Sequence, residues 1–241
     1  MASFVGVLAG CRGNAMLYQS KRYVVNLAIQ SAAKDLYTIS TEEQRSMLHP
    51  IDQNIVAAIV GEVDGIIPFD RHEREHQQGV VTWLKSGINP FRLKKPDIPP
   101  KHLVAYFVLV DPGHRSILLV DHIKAQLWLP PGGHVEYNEL PHDTVMREAK
   151  EEFDMRAAFL YGNTHPFFVT VTQTVGLTPG HTDVSLWYLL RGNIHDRLYF
   201  DRSEFTDIEW YTFDEIMETD PVIFDPHLQR FTKKVAAYVK S

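Results

Sequence analysis

A proline-rich segment that ends at Pro100 separates two parts of the chain with different sequence patterns. Within Lys94-Lys-Pro-Asp-Ile-Pro-Pro100, three of seven residues are proline. Proline removes a backbone hydrogen-bond donor and clashes inside helices, so this density excludes a helix or a central strand there. We therefore predict a helical N-terminal extension over residues 1–100 and a separate domain over residues 101–241.

The part before the boundary has a helical pattern. Four apolar residues recur at every fourth position, as they do on one face of a helix. These residues are Ile51, Ile55, Ile59 and Val63. Thr41 and Gln44 form a capping box that favours a helix start. A second helix is predicted over residues 71–86, because Val80, Trp83 and Leu84 share a face and Gly87 suits the position after its end.

The part after the boundary begins with strands. Residues 103–110 form an almost continuous apolar run, and a turn at Asp111-Pro-Gly113 leads into a second run over 116–121, which predicts a hairpin. Mixed strands and helices of this kind favour an α+β fold with α/β/α layers. Further strands are predicted over 157–161, 167–175, 184–190 and 208–211, and helices over 141–153, 213–218 and 226–239.

The predicted helix over 141–153 carries a cluster of acidic residues. Its apolar stripe is Val145, Ala149 and Phe153, and Pro141 suits its first turn. Three glutamates at positions i, i+3 and i+4 lie beside that stripe, so their carboxylates share a face. They are Glu148, Glu151 and Glu152.

Like charges at this spacing repel each other, so the cluster favours a bound cation. Oxygen ligands suit Mg²⁺ or Mn²⁺, which can bind substrate phosphates at the same time. A solvated helix face with an Arg147–Glu151 ion pair is the simpler alternative. The preceding loop favours the cation, because Gly132-Gly133 allows close approach of the backbone and Glu139 follows six residues after Gly133.

The order of these residues resembles the signature of the Nudix hydrolase family, which includes MutT-like proteins. The signature runs Gly, five residues, Glu, seven residues, Arg-Glu, an apolar residue, any residue, Glu-Glu, any residue, Gly and an apolar residue. Eight positions fit it: Gly133, Glu139, Arg147, Glu148, Ala149, Glu151, Glu152 and Met155. The resemblance covers about residues 101–241 and implies a Nudix-type α/β/α sandwich around a mixed sheet.

The resemblance also implies a function: metal-dependent hydrolysis of the pyrophosphate bond in a nucleoside diphosphate linked to another moiety. Glu148 and Glu152 would be the principal ligands of Mg²⁺ or Mn²⁺. Glu151 would be a further ligand or the group that orients or deprotonates water. Arg147 would hold Glu139 in place. The carbonyl of Gly132 could complete the metal shell. Gly133 would support the site structurally.

Two positions depart from the family pattern. Asp154 lies where the signature has glycine, and Asn138 lies where many members have glycine before the first glutamate. Asp and Asn accept left-handed backbone conformations more readily than other non-glycine residues. We therefore expect the helix exit and the loop to keep their shapes.

Several residues outside the signature are candidates for contact with the substrate. The turn before the predicted strand 184–190 offers His181 and Asp183 to a phosphate. Three acidic residues before the last strand, Asp201, Glu204 and Asp207, could add a ligand or a base. Trp128, Phe167 and Phe168 could stack on a base, although aromatic residues in strands usually belong to the core.

Two other functions compete with hydrolysis. One is a non-catalytic nucleotide-sensing module whose helical part contacts a protein partner. The other is a zinc metalloprotease, because His72-Glu-Arg-Glu-His76 matches the H-E-x-x-H pattern. With 12 histidines in the chain, a chance match is easy, and we expect a charged, solvated helix start instead.

Composition narrows the class of partner. A net charge of -6 gives no basic surface for a polymeric nucleic acid, so a small nucleotide derivative is the expected partner. The lone Cys11 excludes an intrachain disulfide, and no apolar run reaches membrane-helix length. The run before Cys11 is short and lacks a basic residue, which argues against a secretion signal. We expect a cytoplasmic protein, for which a homodimer is the default oligomeric state.

Overall fold

The computed structural model describes residues 50–94, 98–177 and 179–239. Within it, the chain from Pro50 to Ser241 forms one compact unit. The predicted capping box of Thr41 and Gln44 lies outside the described residues. None of the helices in the described ranges is long and apolar enough to cross a membrane.

A mixed seven-stranded sheet forms the centre of this unit. Its main strands follow the order β3-β2-β1-β6-β5; β4 pairs with β1, and β7 pairs with β2. Only β1 and β6 run parallel among these pairs; the others are antiparallel. The strands are β1 (Lys101–Asp111), β2 (Ser116–His122), β3 (Leu127–Leu129), β4 (Gly132–His134), β5 (Phe168–Gln173), β6 (Thr182–Arg191) and β7 (Phe205–Thr212).

The predicted hairpin is confirmed, but its two strands separate beyond the turn. β1 and β2 pair directly at Val110 and Ile117, next to the turn. Farther along, β4 pairs with β1 and β3 pairs with β2. Sequence patterns did not predict β3 and β4, because each has three residues and Pro130-Pro131 interrupts them.

The predicted strand over 157–161 is wrong. This stretch contains a single bridge between Phe159 and Leu190 and then a 3₁₀ turn, Leu160–Gly162. Apart from the bridge at Phe159, its apolar residues pack beside the sheet and do not form a strand. Leu160 is buried, and Ala157 and Phe159 pack against the core. Apolar content alone therefore does not make this segment a strand.

Helices cover both faces of the sheet. On one face lie α1 (Gln53–Asp64), α2 (Arg71–Lys85) and α3 (Pro141–Phe153), and their apolar residues share a core with the odd-numbered residues of β1. On the other face, α4 (Phe213–Glu218) and α5 (Leu228–Tyr238) pack with Val108 and Val110. A strand buried on both faces explains the continuous apolar run of β1. The α+β fold with α/β/α layers is confirmed.

The helices before residue 100 also match their prediction. Val56, Ile59 and Val63 of α1 are buried, and α2 ends before Gly87, whose φ is +79°. Both helices contribute to the first core together with the sheet. The division of the chain into 1–100 and 101–241 stays a prediction.

Candidate active site

Helix α3 begins at Pro141 and ends in a left-handed residue. Pro141 occupies its first turn, and Val145, Ala149 and Phe153 are buried as predicted. Asp154 has φ 50°, and the amides of Asp154 and Met155 donate to carbonyls of the last turn. Where the family pattern has glycine, aspartate thus adopts the conformation that glycine usually supplies. Asn138, with φ 57°, does the same in the loop.

The two glycines of β4 let the backbone approach its neighbours closely. A Cβ on Gly132 would lie 2.2 Å from the carbonyl oxygen of Ala105, and the φ of Gly132 is +146°. A Cβ on Gly133 would lie 1.9 Å from Oε1 of Glu148. Because any side chain at Gly133 would displace that carboxylate, the sequence Gly-Gly is required to place Glu148 against the strand.

Arg147 joins the loop to the helix. Its guanidinium donates from Nε and Nη2 to both oxygens of Glu139, each at 3.0 Å, and from Nη2 to the backbone carbonyl of His134 at 3.2 Å. Nη1 donates to Glu148 at 2.6 Å and to Glu151 at 3.3 Å. The hydrogen bonds to Glu139 are the main reason why the pKa of Arg147 is raised. Arg147 therefore acts as a fixed positive centre.

Glu139 accepts two further hydrogen bonds. The amide of Glu136 donates to it at 3.0 Å, and the hydroxyl of Thr144 donates at 2.7 Å. Burial acts to raise its pKa, but the hydrogen bonds, led by those from Arg147, prevail and lower it. Glu139 is therefore an ionised structural partner whose oxygens are already engaged.

Glu152 is a buried carboxylate and Glu148 is a partly buried one, and both lie close to other acidic groups. Burial is the main cause that raises the pKa of Glu148, and Glu151 and Glu204 add to it against the opposing effect of Arg147. Burial, followed by the charges of Glu148 and Glu204, raises the pKa of Glu152 to about 10. Both oxygens of Glu152 are buried without a hydrogen bond of normal geometry from the described residues, although the Gly132 amide opposes the rise.

The loop before β7 brings Glu204 to these glutamates. The amide of Asp201 donates to the carbonyl of Glu152 at 2.9 Å, which ties the loop to the end of α3. The amide of Ile123 donates to the carbonyl of Glu204 at 3.0 Å. Glu204 was predicted only as one of three acidic candidates, because the contact between this loop and α3 joins residues far apart in the sequence.

These carboxylates suit a divalent cation. Glu152 has unsatisfied buried oxygens, Glu148 lies against Gly133, and the negative charge of Glu204 adds to both. Hard oxygen donors in such a cluster are the ligands that Mg²⁺ and Mn²⁺ prefer. Glu151, in contrast, is 59% exposed at the rim of the cluster.

His181 and Asp183, the two candidates for contact with a phosphate, lie together, and two further histidines join them. Atoms of His102, His134, His181 and Asp183 that could ligate a metal all lie within 4.8 Å of one another. His102 and His134 were not predicted, because β1, β4 and β6 bring them together only in the folded sheet. Only His134 could have been singled out from the sequence, because it follows Gly132-Gly133 directly. No sequence pattern pointed to His102.

Trp128, Phe167 and Phe168 belong mainly to the second core. The ring of Phe168 is fully buried, with its centroid 5.7 Å from those of Trp187 and Phe231. Trp128 is partly buried and packs edge-on against Tyr211. Phe168 is therefore not exposed to a nucleotide base, which corrects its prediction as a substrate-binding residue.

The H-E-x-x-H segment does not have the arrangement of a protease site. Glu73, which would be the general base, is fully buried and accepts from Nζ of Lys234 at 2.7 Å and from the amide of Phe69 at 2.6 Å. Because both carboxylate oxygens are engaged away from solvent, Glu73 is not available to activate water. The expectation of a solvated helix start is also wrong at this residue.

The glycines of β4 and the carboxylate cluster of α3 thus form one site that suits a divalent cation. A family model described as the NUDIX domain matches residues 100–233, more than half of the chain. The chain belongs to the Nudix family, and the resemblance of its signature is thereby confirmed. Nudix hydrolases generally use a divalent metal ion.

Several solved structures are similar in fold. A Nudix-family hydrolase from Clostridium perfringens is 20% identical, with 58% of this chain and 96% of that chain covered and a TM-score of 0.45. An Ap4A hydrolase from C. elegans is 16% identical, with 57% and 96% covered and a TM-score of 0.44. The dihydroneopterin triphosphate pyrophosphohydrolase of E. coli is 13% identical, with 56% and 95% covered and a TM-score of 0.44. No curated protein matches the sequence.

Proposed function

We propose that this protein is a Mg²⁺- or Mn²⁺-dependent hydrolase that cleaves the pyrophosphate bond of a nucleoside diphosphate linked to another moiety. The observation that carries the proposal is the pair Glu148 and Glu152. Glu152 is buried and Glu148 is partly buried on one face of α3, both have raised pKa values, and Glu152 has no hydrogen-bond partner of normal geometry in the described ranges. Such carboxyl groups ionise near neutral pH only when a cation compensates their charge.

Glu148, Glu152 and Glu204 are the residues that would hold the cation, with Glu151 and the Gly132 carbonyl as additional candidates. When bound, a divalent ion polarises the phosphoryl group and lowers the pKa of the attacking water. Arg147 keeps Glu148 and Glu139 in register through the hydrogen bonds described above. In this proposal the glutamates bind the cation, and Arg147 holds the carboxylates in position.

The reaction itself adds water across a phosphoric anhydride. The water oxygen forms a new bond to one phosphorus, and the bond from that phosphorus to the bridging oxygen breaks. The bridging oxygen leaves with the other phosphoryl group, so the products are a nucleotide and a phosphorylated remainder. Glu151 is the candidate that orients the water and takes its proton, because it lies exposed beside the buried cluster.

A small nucleotide derivative fits this proposal better than a polymer. The net charge is -6, and a polymeric nucleic acid would need a basic surface. Specificity for the second moiety depends on loops and on Trp128. Trp128 is partly exposed in β3, the strand that precedes β4 in the sequence. A homodimer in the cytoplasm stays a prediction from the sequence.

The test is phosphate release from a panel of nucleoside diphosphate derivatives, with Mg²⁺ or Mn²⁺ and a coupled phosphatase that acts on phosphomonoester products. The variant is Glu152→Gln, which keeps shape and removes the charge. Glu75→Gln is the matched control, because Glu75 is exposed on α2 and pairs with Arg71 at the surface. We expect Glu152→Gln to lose at least about 100-fold in kcat/KM, since even outer-shell changes cost 10–100-fold.

The outcomes separate two functions. Turnover by wild type and by Glu75→Gln, with loss in Glu152→Gln, supports the hydrolase and identifies the substrate class. Binding of nucleotides without turnover of any panel member would favour the nucleotide-sensing module. Equal turnover by wild type and Glu152→Gln would refute the assignment of the buried pair.

A further inference from the structure

A second polar cluster lies on the sheet face opposite α3, at the start of β1 and β6. His102 and Asp183 are paired across these two parallel strands, and His134 ends β4 opposite Val104. His181 precedes β6 directly. His102 is fully buried, and His181 is 6% exposed. Four side chains that can ligate metals therefore converge on one partly closed site.

The central oxygen of this cluster is Oδ1 of Asp183. Nε2 of His102 and Nε2 of His181 each lie 3.4 Å from it. Nε2 of His102 and Oδ1 of Asp183 are buried atoms without a hydrogen-bond partner in the ranges that the structure covers. The side chains are thus aimed at a common point while two of their polar atoms stay unsatisfied.

The distance of 3.4 Å is longer than a normal hydrogen bond and suits two ligands of one metal ion. An N–H···O hydrogen bond normally spans 2.7–3.2 Å, which is shorter than both contacts. In a tetrahedral zinc site, ligand bonds of about 2.0–2.2 Å place neighbouring ligand atoms about 3.3–3.6 Å apart. The two separations from Oδ1 of Asp183 therefore match the edge of a coordination tetrahedron.

Hydrogen bonds at Nδ1 on the far side of both rings select the neutral tautomer in which Nε2 carries the lone pair. Nδ1 of His102 lies 2.8 Å from the carbonyl oxygen of Pro99 and must donate to it. Nδ1 of His181 lies 3.1 Å from Oγ1 of Thr174, whose own proton is donated to the carbonyl of His181. Nδ1 of His181 is therefore also the donor. Metal-ligating histidines generally make such an outer hydrogen bond.

His134 completes the group from the third strand. Its ring centroid lies 4.8 Å from that of His102 and 6.4 Å from that of His181. Nη1 of Arg92 contacts Nε2 of His134 at 3.1 Å. Because arginine can only donate, Nε2 of His134 is the acceptor in this contact, and it becomes available to a metal shell when Arg92 turns away.

We propose that His102, His134, His181 and Asp183 form a binding site for a transition metal ion of the Zn²⁺ type, separate from the glutamates of α3. Imidazole nitrogens with one carboxylate suit zinc, whereas Mg²⁺ prefers oxygen ligands. A phosphate is disfavoured here, because the carboxylate of Asp183 occupies the centre of the cluster. The proposal does not depend on hydrolase activity.

The test uses the full chain, stripped of metal and then titrated with Zn²⁺ in a calorimeter with excess Mg²⁺ present. Co²⁺ serves as a spectroscopic probe, since tetrahedral Co²⁺ absorbs visible light more strongly than octahedral Co²⁺. The variants are His102→Gln and Asp183→Asn. The controls are Glu152→Gln, in the carboxylate cluster, and His76→Gln, in the H-E-x-x-H segment.

We expect one equivalent of Zn²⁺ to bind to wild type, Glu152→Gln and His76→Gln, and binding to weaken by at least about 100-fold in the two site variants. Absence of Zn²⁺ binding to wild type overturns the proposal, as does unchanged binding in both site variants or loss in His76→Gln. If the site variants do not fold, zinc-edge X-ray absorption of the wild-type protein identifies the ligands of the bound Zn²⁺ instead. Imidazole ligation supports the site, and a shell of oxygens alone overturns it.

Discussion

The buried ion pair between Glu73 and Lys234 fastens α2 to α5, and removing its cation should be costly. Glu73 is fully buried and the side chain of Lys234 is 10% exposed, with Nζ 2.7 Å from Oε1. Nζ also donates to the carbonyl of Phe167 at 2.6 Å. Burial is the main cause that raises the pKa of Glu73 and lowers that of Lys234, so desolvation outweighs their mutual attraction.

The substitution Lys234→Met leaves the Glu73 carboxylate buried without its cation. Loss of one partner of such a pair costs about 3–5 kcal/mol in the free energy of unfolding. The adjacent Lys233 is exposed, so Lys233→Met should change stability by less than about 0.5 kcal/mol. Adding Glu73→Gln to Lys234→Met removes the stranded charge and should recover part of the loss.

The assay is urea unfolding followed by tryptophan fluorescence, at pH 7 and at pH 5. The folded-state pKa of Glu73 is raised, so the native state holds its proton at a higher pH than the unfolded chain does. The deficit of Lys234→Met should therefore shrink as the pH falls toward the unfolded value. A deficit below about 1 kcal/mol, or no recovery in the double variant, would refute the role of this pair.

Two further predictions concern the active site and the acid stability. Gly133→Ala should lower kcat/KM by at least about 10-fold, because its Cβ would lie 1.9 Å from Oε1 of Glu148 and displace that carboxylate. Steady-state kinetics measures the loss, and thermal unfolding checks that the variant folds. Hydrogen bonds from Arg230 are the main cause that lowers the pKa of Asp70 to about 2 from 3.8. This shift corresponds to about 2 kcal/mol, which partial exposure reduces to about 1–2 kcal/mol. Asp70→Asn should lose that amount at pH 7. Since the folded pKa is depressed, the difference from wild type should fall by about half between pH 5 and pH 3 in urea unfolding. A difference that stays constant with pH would contradict the ion pair.

Local patterns predicted the parts of the fold that depend on near neighbours in sequence. The stripe of α3 and the glutamates beside it follow from helical periodicity, and Asp154 and Asn138 take the left-handed conformations expected of them. Burial on both faces made β1 recognisable as a strand. The same criterion failed at 157–161, where apolar residues pack beside the sheet edge instead of pairing with it.

Contacts between distant segments were not predictable in the same way. Glu204 reaches the carboxylates of α3 through a loop that hydrogen-bonds to the helix end. Glu73 meets a lysine 161 residues away, and no periodicity reports such a pair. His102 joined no motif, because its partners come from other strands of the sheet. Sequence patterns identified chemical groups here, and tertiary pairing decided which of them meet.

The three residues of β4 serve both clusters at once. Gly133 is paired with Ala105 and lies against Glu148, whereas His134 is paired with Val104 on the opposite sheet face. Successive residues of a strand alternate between faces, so a one-residue deletion between β3 and β4 that shifts the register of β4 would place His134 in the position of Gly133. An imidazole would then collide with the carboxylates while the histidine cluster lost a member. The length of the short Pro130-Pro131 connection is consequently under a double constraint, and length variants there should impair both clusters together.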